Sequence, residues 1–127
     1  MASPAEPAPS NDSTFKCPPL ASLVAALRDG ARPIAARMRA IFYLRTLGGA
    51  DAVAALCEAL GDKSSSVLFR HEVAYVLGQM QAAAAVPVLR AVLRDTADEV
   101  IVRHEVRGEG ERRGACARCA AYCGALR

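Results

Sequence analysis

The sequence predicts an all-α protein, a solenoid of antiparallel helix pairs that repeat every 33 residues. Aspartate, leucine and arginine columns carry this period along the chain. Their members are Asp29, Asp62 and Asp95; Leu27, Leu60 and Leu93; and Arg37, Arg70 and Arg103. The apolar content is 53% with only 5% aromatic residues and no Trp, which suits close-packed helices. Self-similarity at this period is typical of a helical solenoid.

The first 19 residues are rich in Pro, Ser and small side chains. Such a segment buries too little apolar surface to offset the entropy of ordering, so we predict a disordered leader over residues 1–19. No secretion signal is visible in it. The repeat register begins at Leu20.

The first complete unit is predicted to hold two helices. Ile34–Leu47 has apolar residues at helical spacing, Pro33 suits a first-turn position, and Gly48-Gly49 suits a helix stop. A second helix is expected over residues 51–60, with Asp51 as its N-cap.

The next unit repeats this pattern. Ser64, Ser65 and Ser66 offer N-caps for a helix over Val67–Met80, and a second helix is expected over residues 82–93. A third unit opens at Asp98-Glu99 and continues over residues 100–106. Long and short helices that alternate with tight turns resemble HEAT repeats, so residues 20–106 are predicted to form a HEAT-like domain.

The pattern is lost after Val106. The next seven residues are R-G-E-G-E-R-R where the preceding unit has an apolar stripe, so the helix is expected to break there. Residues 107–127 are therefore predicted to be an irregular, basic, Cys-containing tail derived from a frameshift or an unspliced intron. Cys116, Cys119 and Cys123 have spacing that also suits zinc or an iron–sulfur cluster, but no fourth ligand is nearby.

Charge and cysteine content limit the classes of partner. Residues 1–106 hold 11 basic and 11 acidic side chains, so the net charge of +3 belongs to the tail and a nucleic-acid surface is not supported. No apolar run is long enough for a membrane span. Five cysteines, with Cys57 at an apolar helical position, imply no disulfide framework and suit the cytoplasm. The sequence does not predict an oligomeric state.

The chain has two histidines, and each is followed by a glutamate: His71-Glu72 and His104-Glu105, 33 residues apart. Equivalent helices of successive units lie about 8–10 Å apart, so these side chains can converge on one ion. Two His with a carboxylate suit a non-haem Fe(II) site. All four residues are candidate metal ligands. Adjacent helical residues point about 100° apart, so one member of a pair can instead orient a ligand or meet a substrate.

The pairs have two other interpretations. A zinc-protease site is excluded because H-E-V-A-Y and H-E-V-R-G lack a second His four residues on. A HEAT-type interaction module with no chemistry, in which the pairs are incidental or vestigial, stays open as an alternative.

The motifs R-M-R-A-I-F-Y-L-R-T-L-G-G (37–49), F-R-H-E-V-A-Y-V-L-G-Q-M-Q (69–81) and D-T-A-D-E-V-I-V-R-H-E (95–105) together resemble the N-terminal half of deoxyhypusine hydroxylase. The similarity covers about residues 20–106. It implies a HEAT-like solenoid with a non-haem di-iron centre that uses oxygen to hydroxylate the deoxyhypusine residue of eukaryotic translation initiation factor 5A. By resemblance, His71, His104 and Glu105 are iron ligands, and Glu72 contacts the cationic substrate.

The family's third and fourth His-Glu pairs lie in a second half that this sequence lacks. The resemblance therefore implies half of a di-iron site, and we expect a truncated or misread form with little or no activity by itself. Assembly of two chains into a complete site is a further alternative.

Overall fold

The computed structural model describes residues 16–112 and shows an all-helical chain with no strand over that range. Six α-helices lie within it, together with a short 3-10 turn at Ala83–Ala85. They are α1 (Leu20–Arg28), α2 (Ile34–Leu47), α3 (Gly49–Gly61), α4 (Val67–Met80), α5 (Val86–Arg94) and α6 (Val100–Arg112). The predicted fold class is confirmed. Most of the predicted leader, residues 1–15, lies outside the described residues.

The helices form two layers. In one layer α2, α4 and α6 pack side by side, and in the other α1, α3 and α5 do so. The core lies between the layers, where α4 contributes buried side chains along one face. Cys57 is partly buried against this core, and its burial raises the pKa of the thiol, as suits the apolar role predicted for it.

The aspartate column builds the same turn three times. Asp29, Asp62 and Asp95 are the C-caps of α1, α3 and α5. In each turn the aspartate carboxylate accepts a hydrogen bond, 3.0 Å long, from the backbone N–H two residues later. The donors are Ala31, Ser64 and Ala97. This local bond explains why aspartate recurs here, because its short side chain stabilises the turn that starts the next helix.

The arginine column ties each unit to the next. The buried Arg37 donates from Nε and Nη2 to the carbonyl oxygen of Leu27, at 3.1 and 2.8 Å, and from Nη2 to Ser65 Oγ at 3.2 Å. One guanidinium therefore satisfies a carbonyl at the end of α1 and holds the turn before α4.

Arg70 does the same one unit later, and more strongly. Its Nε donates to the carbonyl oxygen of Leu60 at 2.9 Å, and its two terminal nitrogens donate to the two Asp98 oxygens at 2.6 Å each. Both side chains are only 2% exposed. The bidentate bond lowers the pKa of Asp98 from 3.8 to about 2 and raises that of Arg70.

The Arg70–Asp98 pair makes the free energy of unfolding depend on pH in the acidic range. Because the folded pKa of Asp98 lies below its unfolded value, its contribution is complete above about pH 4 and is lost as the pH falls through about 2. We expect the free energy of unfolding of the natural chain to fall more steeply over this range than that of Asp98→Asn, whose amide does not titrate. Urea unfolding followed by circular dichroism at each pH measures both, and parallel curves would contradict the prediction.

The caps of the helices agree with the predictions in two cases and differ in one. Ser66 is the N-cap of α4, and its hydroxyl accepts from the Phe69 N–H. Gly48 ends α2 and Gly49 begins α3, and their positive φ angles of 67° and 84° are ones that glycine adopts without strain. The prediction that Asp51 is an N-cap was wrong, because α3 begins at Gly49. Asp51 lies inside the first turn, where its negative charge interacts favourably with the helix dipole.

The short helix of the second unit also differs from the prediction. In place of one helix over residues 82–93, a 3-10 turn precedes α5, which runs Val86–Arg94. Pro87 lies in the first turn of α5. Proline has no N–H to donate, so it suits a helix start and not an interior position.

The expected break after Val106 was wrong. Helix α6 continues through Arg112, six residues further. Val102 and Val106 are fully buried and anchor the helix, and Arg and Glu are good helix formers. Two glycines at about 1 kcal/mol each are not enough to end it. The tail beyond Arg112, with its three cysteines, lies outside the described residues, and its origin in a frameshift or intron stays a prediction.

Candidate metal centre

The two His-Glu pairs lie at equivalent places on neighbouring helices. His71 and Glu72 are in the second turn of α4, and His104 and Glu105 are in the second turn of α6. Because α4 and α6 pack side by side, this part of both helices meets at one surface. The two His-Glu pairs, which share one position in the repeat, therefore lie close together in space.

His71 lies between two carboxylates. Its Nε2 is 3.1 Å from Oε2 of Glu105 on α6, and its Nδ1 is 3.6 Å from Oε1 of Glu72 on its own helix. The side chains are 26% exposed for His71 and Glu72 and 12% for Glu105. The cluster is thus partly buried but still open to a ligand on one side.

The side chain of His104 is exposed, and within the described residues it does not complete a metal-binding group with the cluster. The two members of a pair point about 100° apart, so they do not share one set of contacts. On α6 it is Glu105 that contacts His71.

The predicted convergence of His71, His104 and Glu105 on one ion is therefore present only in part. The structure brings His71, Glu72 and Glu105 together, and it leaves His104 apart. Within residues 16–107, no group of three or more His, Cys, Asp or Glu side chains is arranged to hold a metal ion.

The geometry of the closest pair nevertheless suits two ligands of one ion. Ligand bonds of about 2.1 Å at a right angle, typical of His and carboxylate on a first-row ion, separate two donors by about 3 Å. The 3.1 Å between His71 Nε2 and Glu105 Oε2 matches this spacing. Imidazole nitrogen and carboxylate oxygen are also the donor types of non-haem iron sites. The residues present fit part of an iron site.

A second feature marks His71 as unusual. Its Nδ1 is buried and makes no hydrogen bond in the described part of the chain, since Glu72 is just beyond bonding distance. A buried polar atom left without a partner is costly, and in a native structure it often reflects a functional constraint.

The Arg70–Asp98 bond sets the register of the site. Arg70 directly precedes His71 on α4, and Asp98 lies two residues before the start of α6. The bidentate bond therefore holds the turn that leads into α6 at a fixed place beside α4. Because both ends are buried, this bond helps to hold α4 and α6 in the arrangement in which His71 contacts Glu105.

Sequence reasoning missed a polar chain next to the pairs. Tyr75 packs on the core and also accepts a hydrogen bond from Gln79 Nε2 at 2.8 Å. Gln79 Oε1 in turn accepts from Arg45 on α2. Tyr75 follows His71 by four residues and Glu72 by three, a spacing that places its side chain on the same helical face. This spacing is the feature of the sequence from which the position of Tyr75 beside the pair could have been predicted.

Comparisons with known proteins agree with the fold and the motifs. The family model for HEAT repeats matches residues 20–107. The structure of human deoxyhypusine hydroxylase in complex with glycerol matches with a TM-score of 0.66 and 36% identity, covering 84% of this chain and 41% of that one. No curated protein matches the chain.

The chain thus spans less than half the length of the solved hydroxylase. In the described residues, none of the helices combines the length and apolar character needed to cross a bilayer. The chain belongs to the HEAT-repeat family and is, in sequence and fold, a deoxyhypusine hydroxylase-like member of it.

Proposed function

We propose that this chain carries part of the iron site of a deoxyhypusine hydroxylase, a monooxygenase that hydroxylates the deoxyhypusine residue of eukaryotic translation initiation factor 5A. The observation that carries the proposal is the 3.1 Å approach of His71 to Glu105 across two repeat units. The 36% identity to a solved hydroxylase supports the same conclusion. We also propose a cytoplasmic location, as suits a protein that acts on a translation factor.

His71 and Glu105, which approach each other across the two helices, and His104, by resemblance to the hydroxylase family, are the residues that would hold Fe(II). When bound, iron supplies the activation of dioxygen. The solenoid contributes the rest: the core fixes α4 and α6 side by side, and the Arg70–Asp98 bond fixes their register.

Glu72 has a different proposed role. Its carboxylate lies beside His71 and is 26% exposed, so a ligand can reach it. A carboxylate forms a strong charge-assisted hydrogen bond with an alkylammonium group. We assign Glu72 to the terminal amine of the deoxyhypusine side chain, while its place as a metal ligand stays the alternative.

A chain that holds only part of the iron site is expected to have reduced catalytic activity. Because the chain spans 41% of the hydroxylase, we propose little or no turnover by this chain alone. A site completed by two copies is a less favoured possibility. The second candidate function is a non-catalytic HEAT interaction module, and the exposed position of His104, away from the His71 cluster, is the observation that favours it.

Metal binding tests the proposal. After anaerobic loading with Fe(II), we expect the natural chain to retain iron and His71→Ala, His104→Ala and Glu105→Ala to lower its affinity at least about tenfold, since even indirect partners of a metal ligand contribute that much. Bound iron is measured after desalting. Glu58→Ala is the matched control, because Glu58 is 59% exposed in a surface ion pair.

Unchanged iron content in all three variants would refute the iron site and leave the interaction module. A product assay on factor 5A that carries deoxyhypusine then measures activity. Turnover by the isolated chain at the rate of a complete hydroxylase would refute the claim of a partial site.

A further inference from the structure

Two large apolar side chains are exposed beside the His-Glu pairs. Leu68 is 57% exposed and Ile101 is 54% exposed, and they occupy equivalent positions of successive units. Each lies three residues before its His and four before its Glu. Side chains at these spacings are neighbours on a helix surface, so each apolar residue lies one turn before its pair on the same face.

The contact between the helices places these two residues at one edge of the site. His71 and Glu105 meet across α4 and α6, so the turns just before them are also adjacent. We name Leu68 and Ile101 the apolar rim. The rim and the carboxylates of Glu72 and Glu105 thus form one continuous surface that is apolar at one end and anionic at the other.

The chemistry of this surface defines its ligand. The carboxylates favour a cation, and an adjacent apolar area favours hydrocarbon, because its burial removes apolar surface from water. An amine on a long aliphatic stem satisfies the carboxylates. When that stem belongs to a protein, the polypeptide from which it emerges must lie over the surface next to the carboxylates.

We infer that the apolar rim docks the polypeptide segment that flanks the modified side chain of the protein substrate, and so distinguishes that protein from a free amine. The inference rests on the proposed function. Leu68 and Ile101 are specificity-determining residues in this assignment, and neither is a proposed metal ligand.

The test separates the protein from its modified side chain. Affinities are measured for factor 5A that carries deoxyhypusine and for free deoxyhypusine, which has the amine and stem but no polypeptide. We expect Leu68→Ser with Ile101→Ser to weaken binding of the factor at least about tenfold, as loss of apolar anchors does, and to leave binding of free deoxyhypusine unchanged. Because both residues are exposed, the double variant should melt at the natural temperature.

The chain offers a matched control. Ile34 and Leu47 are 41% and 48% exposed but lie away from the pairs, at the two ends of α2. Ile34→Ser with Leu47→Ser should leave both affinities unchanged. An equal loss of affinity for the factor in this control would show that any exposed apolar residue contributes to binding, and it would contradict a specific role of the apolar rim.

The remaining outcomes are also decisive. If the rim variant binds the factor as well as the natural chain does, the rim is overturned while the proposed function stands. If the natural chain binds neither the factor nor free deoxyhypusine, both the proposed function and the docking role of the apolar rim are refuted. If light scattering shows that the rim variant changes only the oligomeric state, the rim is a contact between copies and the inference is overturned.

Discussion

Replacing Asp98 by alanine is expected to lower the free energy of unfolding by about 3–5 kcal/mol. The substitution leaves the Arg70 guanidinium, 2% exposed, without two of its hydrogen bonds and without its counter-ion. A buried charge that loses its partner keeps its full desolvation cost. Since small domains are stable by about 5–15 kcal/mol, this one change removes a large part of the total. Urea unfolding at neutral pH measures it.

Two controls separate the pair from a general effect of charge. Glu58→Ala removes one end of an exposed ion pair and should change stability by no more than about 0.5 kcal/mol. Arg70→Met combined with Asp98→Leu removes both charges and should recover most of the loss, because no unpaired charge remains. A small effect of Asp98→Ala would show that the bond does not hold the two units together.

Phe69→Ala is expected to lower the free energy of unfolding by a similar amount, about 3–5 kcal/mol. The Phe69 ring is fully buried between units, and the Arg37 guanidinium lies 3.9 Å from its centroid. Truncation leaves a cavity and also removes this cation–π contact. The loss affects two units, because Arg37 also holds the end of α1 and the turn before α4.

Phe42→Ala is the matched control for Phe69→Ala. Phe42 is 37% exposed, and its ring is 5.2 Å from the Arg45 guanidinium. The same chemical change should cost about 1 kcal/mol here, since less apolar area is lost from a partly solvated position. Equal losses at both positions, measured by urea unfolding, would contradict the placement of Phe69 in the core.

The repeat and the position of the pairs were predictable because they depend on local periodicity. The aspartate column recurs because one backbone bond recurs, and the arginine column recurs because each guanidinium satisfies the end of one helix and the start of another. The aspartate bonds span two residues and the arginine bonds span 10 or 28, each at a fixed place in the unit, so they leave a visible period in the sequence.

The contacts of the individual site residues were not predictable in the same way. Which side chains meet depends on how α4 packs against α6, and that packing depends on contacts between residues far apart in sequence, such as Arg70 and Asp98. The end of α6 was mispredicted for a related reason. Helix propensity alone disfavours Gly108 and Gly110, but burial of Val102 and Val106 outweighs it.

The arginine column also implies a gradient of local opening along the chain. Arg37 and Arg70 each bond a carbonyl behind and a side chain ahead, whereas the buried Arg103 Nε has no hydrogen-bond partner within the described residues. Because α6 lacks this tie at Arg103, we expect it to exchange its amide hydrogens faster than α4. Glu105 leaves His71 whenever α6 opens. The lifetime of the paired site is therefore the lifetime of the closed α6, and any partner that covers α6 would lengthen it.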